Sequence, residues 1–192
     1  GGEYSRRAER PTAASLAATF ANHADGLKIA HIYQTDPELP AAAAPFAQPG
    51  VQAQVGDVIT HINGAPVKHL GDLTTALRGQ VGKQVRVDLK RGRTTWSTIV
   101  EPVTPNADHR LRYQDWVQKN RNKVADASNG RFGYIHIYAM GGNDIANFAR
   151  EFYDNVDKDG LVIDVRRNRG GNIDSWIIEK LLRRAWMFWQ PR

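Results

Sequence analysis

The sequence predicts an α+β unit followed by an α/β unit: a small, partly open β-barrel with one main helix over residues 13–103, then an incomplete βαβ segment with a parallel sheet over residues 104–192. Three observations predict it. Residues 27–33, 84–90 and 94–100 alternate apolar and polar positions, as half-buried antiparallel strands do, residues 55–67 carry apolar positions 58, 59 and 62 up to an Asn-Gly turn, and only one stretch between them has helical spacing. Residues 132–138 and 160–165 are short runs rich in β-branched and aromatic residues, separated by a helix-period segment at 143–156, which is the pattern of strand, crossover helix and parallel strand. Finally, the second run closes on Gly170-Gly171 and feeds Trp176, Ile177, Ile178, Leu181 and Leu182, which lay one apolar face along a helix.

Taken in order, residues 1–12 are polar and basic, with Arg6, Arg7, Arg10 and Pro11, and read as an edge strand, a linker or the tail of a preceding domain. A weakly apolar stretch at 16–20 and a turn at 22–26 lead into the first alternating strand. Pro37, Pro40, Pro45 and Pro49 make 34–49 a loop. Asn63-Gly64 is a hairpin turn, because both residues tolerate positive φ. Leu70, Leu73 and Leu77 mark the one barrel helix, with Gly79 as its stop, and a last hairpin turns at 91–93 before Pro102 and Pro105 end it. Tyr113, Trp116, Val117 and Val124 give a helix over 106–129 in which the aromatics are packing residues, ended by Ser128-Asn129-Gly130. In the crossover helix Ile145, Phe148, Ala149 and Phe152 point inward, and the run 161–165 suits a strand buried on both faces.

Composition narrows the chemistry. The 192 residues are 41% apolar, enough for two real cores. No cysteine is present, which excludes disulfides, thiolate catalysis and cysteine metal sites but leaves the compartment open. No histidine and carboxylate stand at metal-ligand spacing, so no metal and no cofactor is expected. No apolar run approaches the ~20 residues of a membrane helix. The net charge of +6 is spread along the chain and its densest knot is Arg166, Arg167 and Arg169, too short for a nucleic-acid footprint. The chain starts Gly-Gly-Glu-Tyr without an initiator methionine and stops at Trp189-Gln190-Pro191-Arg192 straight after a helical stretch, which reads as a piece of something longer.

The chemistry-bearing stretch is 160–171. A strand that ends in a Gly-Gly turn opening a helix leaves backbone N–H groups unpaired beyond the strand's carboxyl end. Such donors fit a phosphate or the transient oxyanion of acyl transfer; the plain alternative is an ordinary β-α turn. His136 is expected to be a hydrogen-bonded sheet histidine, since no carboxylate is placed beside it by the sequence, and His31 and His61 alternate outward with no role. Ser175, one turn into the last helix, caps or faces solvent.

Residues 55–64, followed by Asp72-Leu73, Leu77-Arg78-Gly79 and Gly82-Lys83, resemble the PDZ domains of bacterial and archaeal proteases. The resemblance implies β-augmentation, in which a peptide adds as a strand beside the helix and a loop of backbone N–H groups holds its terminal carboxylate. Leu16, Ala17, Ala18 and Leu73 would line that groove, with 15–18 as the loop. The loop has no glycine, unlike the family's, so a structural role as spacer or gate stands beside peptide binding.

The second half resembles the tricorn-type members of the tail-specific serine proteases, peptidase family S41, through residues 111–117 with Asn120-Arg121, 133–137, 160–166 with Asn168 and Gly170-Gly171, and 177–181. The order of the two halves is also the family's. The resemblance implies a catalytic domain of ClpP/crotonase type and a serine endopeptidase acting on oligopeptides or unfolded polypeptides. There a serine, assisted by a histidine, attacks the peptide carbonyl and a glycine N–H holds the oxyanion. By resemblance the oxyanion glycines are Gly170 and Gly171, with Gly170 the expected donor although Arg169 stands where tricorn usually has glycine. The nucleophile and the base are expected outside the chain, after Arg192 and before Gly1, so the segment alone is expected to be inactive. The resemblance allows a homo-oligomer; from charge and hydropathy no nucleic-acid or membrane partner is expected, and the expected compartment is the cytoplasm, with the periplasm as alternative. The competing reading is a non-catalytic PDZ peptide-binding or scaffolding module.

Overall fold

The computed structural model describes residues 12–37 and 40–182; the tail expected at 1–12 lies, but for Thr12, outside them. The chain divides into two compact units, 1–118 and 119–192.

In the first unit the strands β1 (Ala18–His23), β2 (Gly26–Ile32), β3 (Val58–Ile62), β4 (Ala65–Pro66), β5 (Val85–Arg91) and β6 (Thr94–Val100) form one antiparallel sheet in the order β1-β2-β3-β5-β6, with β4 paired to β3. Helix α1 (Leu70–Leu77) lies between β4 and β5 in the chain. The ladder almost closes on itself, because Ser15 and Val103 exchange two backbone hydrogen bonds of 2.9 and 2.8 Å. The core is what the alternation selects: Leu27 and Ile29 from β2, Ile59 and Ile62 from β3, Val85, Val87 and Leu89 from β5, and Leu73 and Leu77 from α1. The Asn63-Gly64 turn has φ of 49° and 82°, both positive as expected.

Two elements differ from the sequence reading. The stretch entering the barrel is the hairpin strand β1, which alternation missed because all but Ala18 and Phe20 of its residues are exposed. Within the expected loop 34–49, Pro40–Ala42 and Pro45–Ala47 are single 3-10 turns, the second burying Phe46 in the core.

Helix α2 (Pro105–Ser128) spans the boundary between the units. Pro105 does not merely end the preceding hairpin: it opens the helix, where its fixed φ suits the first turn. The Thr104 hydroxyl caps that turn, accepting from Ala107 N–H at 3.1 Å. The buried side chains of α2 are Leu111 and Asp115, while Tyr113 and Trp116 stack on each other half-buried, 6.4 Å apart.

In the second unit β7 (Phe132–His136) and β8 (Gly160–Asp164) pair in parallel, from Phe132 opposite Gly160 to His136 opposite Asp164, and α3 (Gly142–Tyr153) is the crossover. Ile135, Ile137, Phe148, Ile173 and Ile177 form the core, with α4 (Asp174–Leu182) contributing Ile177 and half-buried Trp176. The expectation that the second strand is buried on both faces is not met: Val162 is 38% and Val165 52% exposed, and among the described residues β8 pairs with β7 alone.

Gly26 carries a specific constraint. Its φ is 151°, and a Cβ there would collide with the Ile59 carbonyl and lie 2.9 Å from the Val67 carbonyl oxygen. Gly26→Ala is expected to destabilise the first unit by about 2–4 kcal/mol, read as a lower urea midpoint at unchanged slope.

Candidate functional site

The chain leaving β8 is pinned to the chain leaving β7. Ile137 N–H donates to Asp164 O (2.9 Å), Arg169 N–H to Tyr138 O (3.0 Å), Met140 N–H to Gly170 O (2.8 Å), and Asn172 and Ile173 N–H both to Met140 O (2.9 and 3.2 Å). Approach is so close at Gly171 that any Cβ would overlap the Met140 carbonyl, and its φ is 145°. Glycine is therefore required by contact as well as by conformation.

Counting donors along the turn decides between the two glycines. Arg169 N–H is taken by Tyr138, and Gly170 N–H by the Asn168 side-chain oxygen at 2.6 Å. Asn172 and Ile173 are taken by Met140. Gly171 N–H alone in this run has no hydrogen-bond partner among the described residues, and both glycines are exposed. Because the peptide linking Gly170 to Gly171 is trans, the bond from Met140 N–H to Gly170 O aims the Gly171 N–H the opposite way. The open donor of the turn is thus Gly171, whereas the sequence reading favoured Gly170.

A polar cluster built on the buried Asp164 anchors the start of the turn. The Tyr134 hydroxyl donates to Asp164 at 2.7 Å, and Arg166 donates to the same carboxylate from its backbone N–H and its Nε at 2.9 Å each. These bonds from Arg166 hold the Asp164 carboxyl well below the usual carboxylate range despite its burial. Burial, then the bond to Asp164, pushes the Tyr134 phenol well above its ordinary value. His136 lies 2.7 Å through Nε2 from the Arg166 carbonyl oxygen, which can only accept, so Nε2 carries the hydrogen of that bond. It is the hydrogen-bonded sheet histidine the sequence suggests, but a carboxylate does stand beside it in register, Asp164 on the neighbouring strand.

The groove residues of the first unit lie elsewhere. Leu16 and Leu73 belong to the barrel core, Ala17 is fully buried against Tyr33, Ala44 and Leu111, and Ala18 is half-buried at the start of β1. The loop is closed over. Ala17, at a positive φ of 50°, gives its N–H to the Ser15 hydroxyl at 3.0 Å, and that hydroxyl donates to Asp108 of α2 at 2.7 Å. Two turns further along α2, the buried Asp115 carboxylate lies 2.7 Å from His31 Nε2 and accepts from Gln34 N–H at 3.0 Å. Sequence reasoning assigned His31 no role; its partner is 84 residues away, and no local pattern announces such a pair.

Comparison with known proteins agrees with both halves. A family model described as Tricorn protease PDZ domain matches residues 15–105, and one described as Peptidase family S41 matches residues 131–187. The chain belongs to the tricorn-protease family. It is 31% identical over its whole length to the "Tricorn protease" of Thermoplasma volcanium, covering 18% of that protein. It is 37% identical over 81% of its length to the "Putative Tricorn-like protease C-terminal subunit" of Sulfurisphaera tokodaii, covering 17% of it. A solved structure, "Crystal structure of the tricorn protease", superposes with a TM-score of 0.82 at 29% identity, over 94% of this chain and 18% of that one. The chain therefore spans less than a fifth of the length of these tricorn relatives.

The polar cluster sets a stability window for the second unit. Asp164, with its pKa depressed in the fold, contributes stability that is present above the ordinary carboxylate pKa of about 4 and is lost as pH falls below it. Tyr134, with its pKa raised, contributes stability that is present below about pH 10 and is lost as pH rises beyond. Asp164→Asn is expected to flatten the acid limb of stability against pH, and Tyr134→Phe the alkaline limb, both measured by thermal unfolding across pH.

Proposed function

We propose that this chain is part of a tricorn-type serine endopeptidase that cuts oligopeptides or unfolded polypeptides, and that the Gly170-Gly171 turn supplies its oxyanion donor through Gly171 N–H. The single observation that carries the reading is that donor: an exposed N–H with no intramolecular partner, on a turn fixed by five backbone hydrogen bonds, within the region that matches peptidase family S41. When a serine attacks a peptide carbonyl the oxygen gains charge, and a donor already fixed in place stabilises that charge without reorganising.

The nucleophile and the base belong to parts of the protein outside this chain. Among the described serines, Ser15 donates to Asp108, Ser97 to Asp88 and Ser128 to the Val124 carbonyl, while Ser175 is exposed on α4. None is hydrogen-bonded to a histidine, and the segment alone is inactive on this reading.

The PDZ unit gates or guides substrate rather than capturing chain ends. A terminal carboxylate placed on the 15–18 loop meets an Ala17 N–H already engaged and the Asp108 carboxylate next to it. Two such charges about 5 Å apart repel by about 3 kcal/mol at an effective dielectric near 20, as much as a charge-assisted hydrogen bond returns. Peptides with a free terminal carboxylate and their amidated counterparts are expected to bind the first unit within about threefold of each other, measured by fluorescence anisotropy.

The decisive experiment uses the full-length protein, fluorogenic peptides of basic and apolar type, and a fluorophosphonate label for the reactive serine. The full chain is expected to turn over and be labelled, and the 192-residue segment to do neither. Gly170→Ala, where a Cβ meets nothing within 4 Å but strains a backbone held at a φ of 78°, is expected to lose less activity than the substitution at 171. Gly171→Ala is expected to lose about 100-fold or more in kcat. A full-length protein that is neither labelled nor active would refute the reading.

A further inference from the structure

Asn168 stands beside the oxyanion turn with no role in the chemistry proposed above. Its side chain bridges two segments: Nδ2 donates to the Ile137 carbonyl just past β7 at 2.8 Å, and Oδ1 accepts from Gly170 N–H at 2.6 Å. Its own N–H donates to Val165 O at 3.1 Å, so its backbone is fixed as well. The neighbouring Arg167 is held at a φ of 62° and Gly170 at 78°, a path that leaves the peptide between Arg169 and Gly170 with little else to hold its N–H in place.

We infer that Asn168 is a positioning residue for the oxyanion donor. By taking up Gly170 N–H it orients the peptide before the donor peptide, while Met140 N–H orients the donor peptide itself through Gly170 O. Two consecutive peptide planes are thereby set, and the turn presents one N–H, that of Gly171. Without the Asn168 amide, Gly170 N–H loses its partner, the plane is free to rotate, and the exposed turn samples arrangements in which Gly171 N–H is misdirected. A preorganised donor owes its effect to not having to move. The amide is needed whole: the oxygen holds the turn and the nitrogen ties that oxygen to β7.

This inference rests on the proteolytic reading above, and its test separates the two. In the full-length protein, Asn168→Ala is expected to lower kcat about 10- to 100-fold with KM within about threefold, because the interaction lost acts on the transition state. Asn168→Asp keeps the acceptor but at neutral pH sets a carboxylate against the Ile137 carbonyl. A protonated aspartic acid donates there, so the ratio of its kcat to that of the wild type is expected to rise as pH falls from about 7.5 to 5. Hydrogen exchange followed by mass spectrometry is expected to show residues 166–173 exchanging faster in Asn168→Ala. Unchanged kcat in Asn168→Ala, or a loss accounted for by less folded protein together with a flat Asn168→Asp ratio, overturns the inference. If the wild type hydrolyses nothing, the protease reading falls, and exchange alone decides here: unchanged protection of 166–173 overturns the positioning role, and faster exchange upholds it.

Discussion

The carbonyl and N–H of Met140 are the constraint on which the candidate site depends. Four residues past the end of a two-stranded parallel ladder, it accepts from two successive donors and donates to Gly170, so the loop after β7 serves as a template for the loop after β8. Backbone groups that leave a sheet must find partners or face water. Among the N–H groups from 169 to 173, those of 169, 170, 172 and 173 find partners in the 138–140 loop or in the Asn168 side chain, and that of Gly171 is thereby singled out. The closeness of that contact also explains why a bulkier residue has no place at 171. Below the turn, Asp164 gathers Tyr134 and Arg166 and fixes the last residue of β8 at the level where the loop begins.

The first unit rests on a different clamp. Ser15, Ala17, His31, Tyr33 and Gln34 on the barrel meet Asp108, Leu111, Arg112 and Asp115 on the opening turns of α2, by hydrogen bonds, by a small apolar cluster, and by the Arg112 guanidinium 5.7 Å from the Tyr33 ring centroid. Burying Asp115 without partners would be costly, and two donors from the barrel's second strand and the residues after it offset that cost. The loop that resembles a carboxylate cradle is therefore part of the packing.

Much of this was legible in the chain. Alternation and the Asn63-Gly64 turn gave the barrel strands, and the β-branched runs gave the parallel pair, because in both cases the burying face repeats at the period of the element. Strand β1 was not legible, since an edge strand with most side chains in water carries no apolar signal. Nor was the role of Asp115: a carboxylate among helix-spaced aromatics reads as a solvated residue until the histidine 84 positions earlier is folded against it. For the site, the Gly-Gly turn could be seen, but which glycine is open depends on a side-chain amide and on a partner loop some 30 residues upstream. No local reading contains those bonds.

The methyl group of Ala17 has one more consequence. A glycine-bearing loop at this corner would be free to reshape itself around different guests. Alanine at φ 50° costs conformational energy that its burial against Tyr33, Ala44 and Leu111 offsets. The corner has exchanged adaptability for rigidity: its backbone is locked by packing and by the Ser15 hydroxyl, so the barrel keeps one fixed shape there.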